Sequence, residues 1–231
     1  VSAQGKIVPG PYGKVDTSYY PDLVEHNGLV AALAALAQLE NVDPGDISIQ
    51  YSAKFAGYTS AAIETGRGRV LINLAIGRRL FLVTISGDRV EIASGATTEL
   101  LEVLKVAAVW KSEASLDELS RKFPFIKITG LARVLSSSDP ISSQWYRLLN
   151  SAEFEVDREL ISAAYENPQI RLRFPDMSHR SIRLSRAFRD PEDVVQISLA
   201  RGGGTVYQQL MAVRNKPSMV HFLPQLVLLR R

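Results

Sequence analysis

The sequence predicts an α+β fold: an antiparallel β-meander with packed helices in the first half, and helices with a smaller antiparallel sheet in the second. Three observations carry this. A helical spacing of apolar residues gives way to period-two alternation near residue 47. The strand-like runs that follow are joined by connections of only two or three residues. Strand-like runs then return after a helical stretch that begins near residue 141. Connections this short join antiparallel neighbours, because a parallel crossover needs a dozen or more residues. Sheet, then helices, then sheet again is the order of an α+β chain rather than an alternating α/β one.

Each element follows from the local pattern. After Pro21, Leu29, Leu33 and Leu36 share one helical face with Val30, Ala34 and Ala37 beside them, which predicts a helix over 22–40. Asp43-Pro44-Gly45 turns the chain, and Ile47, Ile49 and Tyr51 then alternate with polar residues as in a half-buried strand. Further strands are expected at 58–64, 69–76, 79–86 and 88–93, separated by Gly66-Arg67-Gly68, Gly77-Arg78 and Ser86-Gly87. The 79–86 run is apolar on both faces, so it should lie centrally and be covered on both sides. Thr97 or Thr98 caps a helix striped by Leu100, Val103, Leu104 and Ala107. Ser115 and Glu118 have the capping-box spacing, which opens a short helix to about residue 122.

The polar stretch 136–140 marks a boundary between a first segment, 1–135, and a second, 136–231, which could still form one compact domain. Two helices are expected over 141–149 and 152–166. The second stops before Asn167-Pro168, because proline pushes the residue before it out of helical geometry. Strands should follow at 181–186, 194–200 and 205–213, and a last apolar run at 219–229 is broken by Pro224.

Composition bounds the chemistry. At 231 residues, 46% apolar and 22% charged, the chain can bury a substantial core and is not wholly disordered. With no cysteine it has no disulfide, thiolate nucleophile, thiolate zinc site or cysteine-ligated iron–sulfur cluster. A cytoplasmic location is the expectation. The longest uninterrupted apolar run, 29–37, has nine residues where a membrane-spanning helix needs about twenty, so no membrane partner is expected. Residues 1–5 lack the features of a signal peptide and read as a trimmed or tagged start. The net charge of +3 is too small to call for nucleic acid. Its distribution is uneven: residues 1–115 carry 10 basic and 12 acidic side chains, residues 116–231 carry 17 and 12.

No catalytic motif emerges. His26, His179 and His221 have no second histidine at helical spacing, which excludes a His-Glu-x-x-His metal site. Ser94-Gly95 lacks the preceding glycine of a nucleophile elbow. Arg201-Gly202-Gly203-Gly204-Thr205 lacks the Lys-Ser/Thr of a phosphate loop and reads as a hairpin turn. No cofactor and no metal are expected.

The densest signal is Arg171, Arg173, Arg180, Arg183, Arg186 and Arg189 against one acid, Asp176. Guanidinium forks recognise carboxylates and phosphates bidentately. In 181–186 the strand would bury Ile182 and Leu184 and present Arg183, and as an edge strand it could accept an extended acidic peptide by β-augmentation. The same strand could pair two copies of the chain across a two-fold axis, giving a homodimer. The structural alternative is that these arginines merely solvate an edge and deter aggregation. Trp145 and Tyr146 offer an aromatic pair, either for the core or as an anchor for a partner.

Phe174-Pro175-Asp176-Met177-Ser178-His179, led by the helix ending Ala163-Ala164-Tyr165-Glu166-Asn167-Pro168, resembles the Phe-Pro-x-x-Ser-His signature of an uncharacterised bacterial family described as natural product biosynthesis proteins. In that pattern an aromatic often follows the histidine, where this chain has Arg180. The resemblance implies a setting in a biosynthetic cluster. By analogy it implies an accessory protein that binds a ribosomal precursor peptide and presents it to modifying enzymes of the same pathway. On that reading an acidic precursor or leader peptide is held by Arg171, Arg173, His179, Arg180, Arg183 and Arg186, without catalysis. The competing expectation is an enzyme with His179 as general acid or base. On local grounds alone, 174–179 reads as a buried turn with Phe174 in the core.

Overall fold

A computed structural model describes residues 6–49, 58–88, 90–190, 194–198 and 211–213. Its helices and antiparallel sheets give the α+β class that the sequence predicts. The chain divides into two compact units, Val1–Arg133 and Val134–Arg231.

The first unit opens with a hairpin of β1 (Ile7–Gly10) and β2 (Gly13–Asp16) that was not legible in the sequence. The single helix expected over 22–40 is two: α1 (Pro21–Glu25) and α2 (Leu29–Leu39). Asn27 and Gly28 break it with φ of 57° and 123°, and the Gly28 N–H closes the first helix on the Leu23 carbonyl at 2.8 Å. A left-handed Asn-Gly pair is a helix stop.

Strands β3 (Asp46–Ser48), β4 (Ser60–Thr65), β5 (Gly68–Leu74), β6 (Phe81–Gly87) and β7 (Val90–Thr97) follow. They pair in sequence order and antiparallel, and β8 (Ile126–Ile128) adds a short sixth strand beside β7. Between them, α3 (Leu100–Lys111) packs Val103, Leu104, Ala107 and Trp110 into one core with Phe81, Val83 and Ile85 of β6 and Leu29 and Leu33 of α2. Strand β6 is central as expected, and Leu82 and Thr84 on its other face are half-buried. The cap of α3 differs from expectation. Glu99 occupies it without a side-chain bond, and the Thr97 hydroxyl instead accepts the Glu99 N–H at 3.1 Å. Ser115 does cap α4 (Leu116–Lys122), accepting the Glu118 N–H at 3.1 Å. The chain passes into the second unit through α5 (Gly130–Leu135), a helix not expected from the sequence, and the polar stretch that follows is non-helical until Pro140.

In the second unit Asp139 caps α6 (Pro140–Asn150) by accepting the Ser142 N–H, with Pro140 in the first turn. A 3-10 segment, Ala152–Asp157, precedes α7 (Arg158–Glu166), so the helix expected over 152–166 starts late. Four antiparallel strands complete the unit: β9 (Phe174–Ser178), β10 (Ser181–Ser185), β11 (Val194–Ser198) and β12 (Met211–Val213). Their order in the sheet is β12-β11-β10-β9. One face is apolar: Met177, Ile182, Leu184, Val195 and Ile197 pack with Trp145 and Leu148 of α6 and Leu160, Ile161 and Ala164 of α7. The expected aromatic pair splits, Trp145 being 1% exposed in this core and Tyr146 70% exposed.

Two expectations are corrected here. Residues 174–178 form a strand, not a buried turn, and the turn is His179-Arg180 alone. Strand β10 is not an edge, since β9 pairs with it on one side and β11 on the other. Its backbone groups are therefore engaged, and neither β-augmentation nor a two-fold pairing of copies is open on 181–186. The glycine turn at 201–205, the apolar run at 219–229 and most of the 205–213 run lie outside the described residues.

Candidate binding site on the second sheet

Antiparallel partners point to the same face, so the register of β9, β10 and β11 builds the polar face rung by rung. The central rung is Asp176, Arg183 and Gln196. At one end, Phe174 is buried on this face and meets the Phe188 ring edge-on at 5.4 Å. Across the rest of the face, Ser178, His179, Arg183, Val194 and Gln196 line an open depression of about 200 Å³. Pockets for drug-sized ligands run to about 300–1,000 Å³, so this one has room for a single side chain or a small ionised group.

The His179-Arg180 turn sets the rim. Both residues have positive φ, 50° and 61°, and they join directly paired Ser178 and Ser181, which is the geometry of a two-residue mirror-image turn. Asn-Gly is the usual solution. A bulkier residue in the left-handed region costs about 1–2 kcal/mol. Two local contacts hold the turn: Ser178 Oγ lies 2.9 Å from His179 Nδ1, and Arg180 Nε donates to Asp157 Oδ1 at 3.1 Å.

The predicted residues are not gathered together. Arg183 and His179 share the depression. Arg180 belongs to the turn and is paired with Asp157. Arg171 is exposed in the loop before β9, where Asn167 caps the Gln169 and Ile170 N–H groups. Arg173 is half-buried in the same loop and its carbonyl accepts the Trp145 indole N–H at 3.0 Å. Arg186 is exposed just beyond β10. Arg183 alone stands at mid-strand, exposed, and its guanidinium makes no hydrogen bond or ion pair with another described residue.

Asp176, Val194 and Gln196 are the partners that sequence reasoning missed. Asp176 was visible only as the lone acid of an arginine run, and Gln196 only as a polar residue in a strand-like run. Pairing register is what brings both beside Arg183. Burial pushes the Asp176 carboxyl above the usual carboxylate range, opposed by the charges of Arg183, Arg189 and Arg147 and by the Met177 N–H.

The outer edge of β9 is a poor template for another strand. With Ser178 and Ser181 paired around the turn, the backbone groups of Pro175 and Met177 point outward. Pro175 has no N–H to offer, and the Met177 N–H lies near enough to the Asp176 carboxylate to stabilise its charged form slightly. What the face offers a ligand is therefore side-chain donors.

Residues 139–220 match the model of a family of unknown function, DUF6193. The match contains the whole depression. No curated protein and no solved structure matches the chain. Among the described residues, no three His, Asp or Glu side chains form a group that could hold a metal, and no helix is long and apolar enough to cross a membrane.

Proposed function

We propose that the chain is a non-catalytic accessory protein that seats an acidic side chain of a precursor or leader peptide in the depression of the second sheet. The observation that carries this is Arg183, an exposed guanidinium at mid-strand that makes no ion pair with another described residue and lines the depression with His179 and Gln196. A carboxylate accepts two parallel N–H bonds from such a fork. The setting, biosynthesis of a ribosomal peptide product with modifying enzymes as partners, rests on the resemblance of 168–179, and a cytoplasmic location on the absence of cysteine. Anisotropy of a labelled glutamate-rich peptide titrated with the protein tests the reading. Saturable binding that Arg183→Ala weakens supports it, and no binding at low salt overturns it.

A second reading has its own observation. Ser178 Oγ and His179 Nδ1 are 2.9 Å apart at the rim, which is the spacing of a hydroxyl with its base. As an enzyme the chain would use His179 as acid or base on a peptide bound beside it. A His179→Ala protein that still supports full product formation by the pathway removes that reading.

A further inference from the structure

We propose that Asp176 makes this depression selective for a singly charged carboxylate over a phosphoryl dianion. The inference rests on the anion-binding reading above and names its ligand class. Asp176 and Arg183 are direct partners across β9 and β10, and Gln196 partners Arg183 on the other side. One rung therefore runs carboxylate, guanidinium, carboxamide. Cβ atoms of such partners lie about 5 Å apart. An anion seated on the outer N–H groups of Arg183 thus feels Asp176 within the Debye length of roughly 8 Å at physiological ionic strength.

Attraction to Arg183 and repulsion from Asp176 both grow with ligand charge, so the pair largely cancels the benefit of a second negative charge. What remains is the short-range bidentate hydrogen bond, which two carboxylate oxygens satisfy fully. A phosphoryl monoester, carrying about −1.5 to −2 at neutral pH, loses more solvation and gains no more contact. The other cations acting on Asp176 are already occupied: Arg147 is paired with Glu153 at 2.7 Å, and Arg189 lies over the Phe188 ring at 5.1 Å.

The test follows the Arg183 Nε–H signal by NMR in the full chain at pH near neutral. Two capped peptides are titrated, identical except for glutamate or phosphoserine at the central position, into the native protein and Asp176→Asn. The native protein should bind the glutamate peptide at least as tightly. In Asp176→Asn the phosphoserine peptide should gain about tenfold and the glutamate peptide about threefold or less, because relief scales with ligand charge. Methanesulfonate and sulfate on the native protein repeat the comparison with no substitution, and the monoanion should bind at least as well. Tighter phosphoserine or sulfate binding by the native protein, or equal gains in the variant, overturns the selectivity and leaves the anion site standing. If no probe moves the Arg183 signal in either protein, the anion site falls and the selectivity with it.

Discussion

The indole N–H of Trp145 donates to the carbonyl of Arg173 at 3.0 Å, fastening the middle of α6 to the residue before β9. This joint helps to place one side of the polar face, because β9 carries Asp176 and leads into the turn that carries His179. Trp145→Phe keeps an aromatic in the core but leaves that carbonyl without its donor. The expected cost is about 0.5–1.5 kcal/mol, the net worth of one hydrogen bond to a half-buried carbonyl. Urea denaturation followed by circular dichroism would measure it.

Two carboxylates should report opposite pH dependences. Burial alone would raise the Asp22 carboxyl, but the bidentate hydrogen bonds and charge of Arg79, at 2.6 and 2.9 Å, outweigh it and hold the group below the usual range. A depressed folded-state value contributes stability in full above the ordinary carboxylate range, and that stability is lost as pH falls through the folded-state value. Asp176 is raised instead, so its contribution is most favourable at low pH and is lost as pH rises through its folded-state value. Asp22→Asn should therefore lower the melting temperature at neutral pH and converge with the native protein in acid. Asp176→Asn should raise it at neutral pH and likewise converge. A melting series from acid to neutral pH checks both signs.

The fold class was legible because its signals are local. Short connections impose antiparallel pairing whatever the rest of the chain does: Gly66-Arg67 joins β4 to β5, and the link expected at Ser86-Gly87 falls two residues later, between Gly87 and Val90; Ser115 needs only Glu118 to start α4. The α1–α2 break was missed because the apolar spacing that predicted the helix, Leu29 to Ala37, lies wholly beyond Asn27-Gly28 and does not show where the helix begins. The site was half legible for the same reason. Arg183 and His179 stand out in any reading of 171–189, but Gln196 becomes their neighbour through a ladder whose register no short segment encodes. The placement of 181–186 at an edge was the costliest misreading. Alternation shows which face a residue occupies, and says nothing about how many strands flank it.

The His179-Arg180 turn should be improvable. Both residues hold left-handed backbone, 50° and 61°, that asparagine and glycine adopt with less strain. Replacing the pair with Asn-Gly removes that strain and the exposed Arg180–Asp157 bridge, which as a surface ion pair is worth about 0–1 kcal/mol. A net gain of about 1 kcal/mol is expected. If His179 also donates to the ligand, the stabilised protein should bind the glutamate peptide a few-fold less tightly, so stability and binding would move in opposite directions. Thermal melts and anisotropy on the same sample separate the two.

Salt should weaken peptide binding without abolishing it. Arg183 is exposed, so its Coulomb attraction for a ligand is screened over roughly 8 Å at physiological ionic strength, while the two N–H bonds and contacts with Val194 and Gln196 depend on geometry more than on field. Removing the fork by Arg183→Ala should cost at most about fivefold in affinity, the upper end of an exposed pair. Arg183→Glu should cost more, about tenfold or beyond, because it adds repulsion to the loss, and it does so beside Asp176 on the neighbouring strand. Arg171→Ala, in the loop before β9, should change little. Anisotropy titrations at low and moderate salt, for all four proteins, check the order. Equal affinities for Arg183→Ala and Arg183→Glu with no salt effect would move the ligand off this face and leave the arginines as solvating charge.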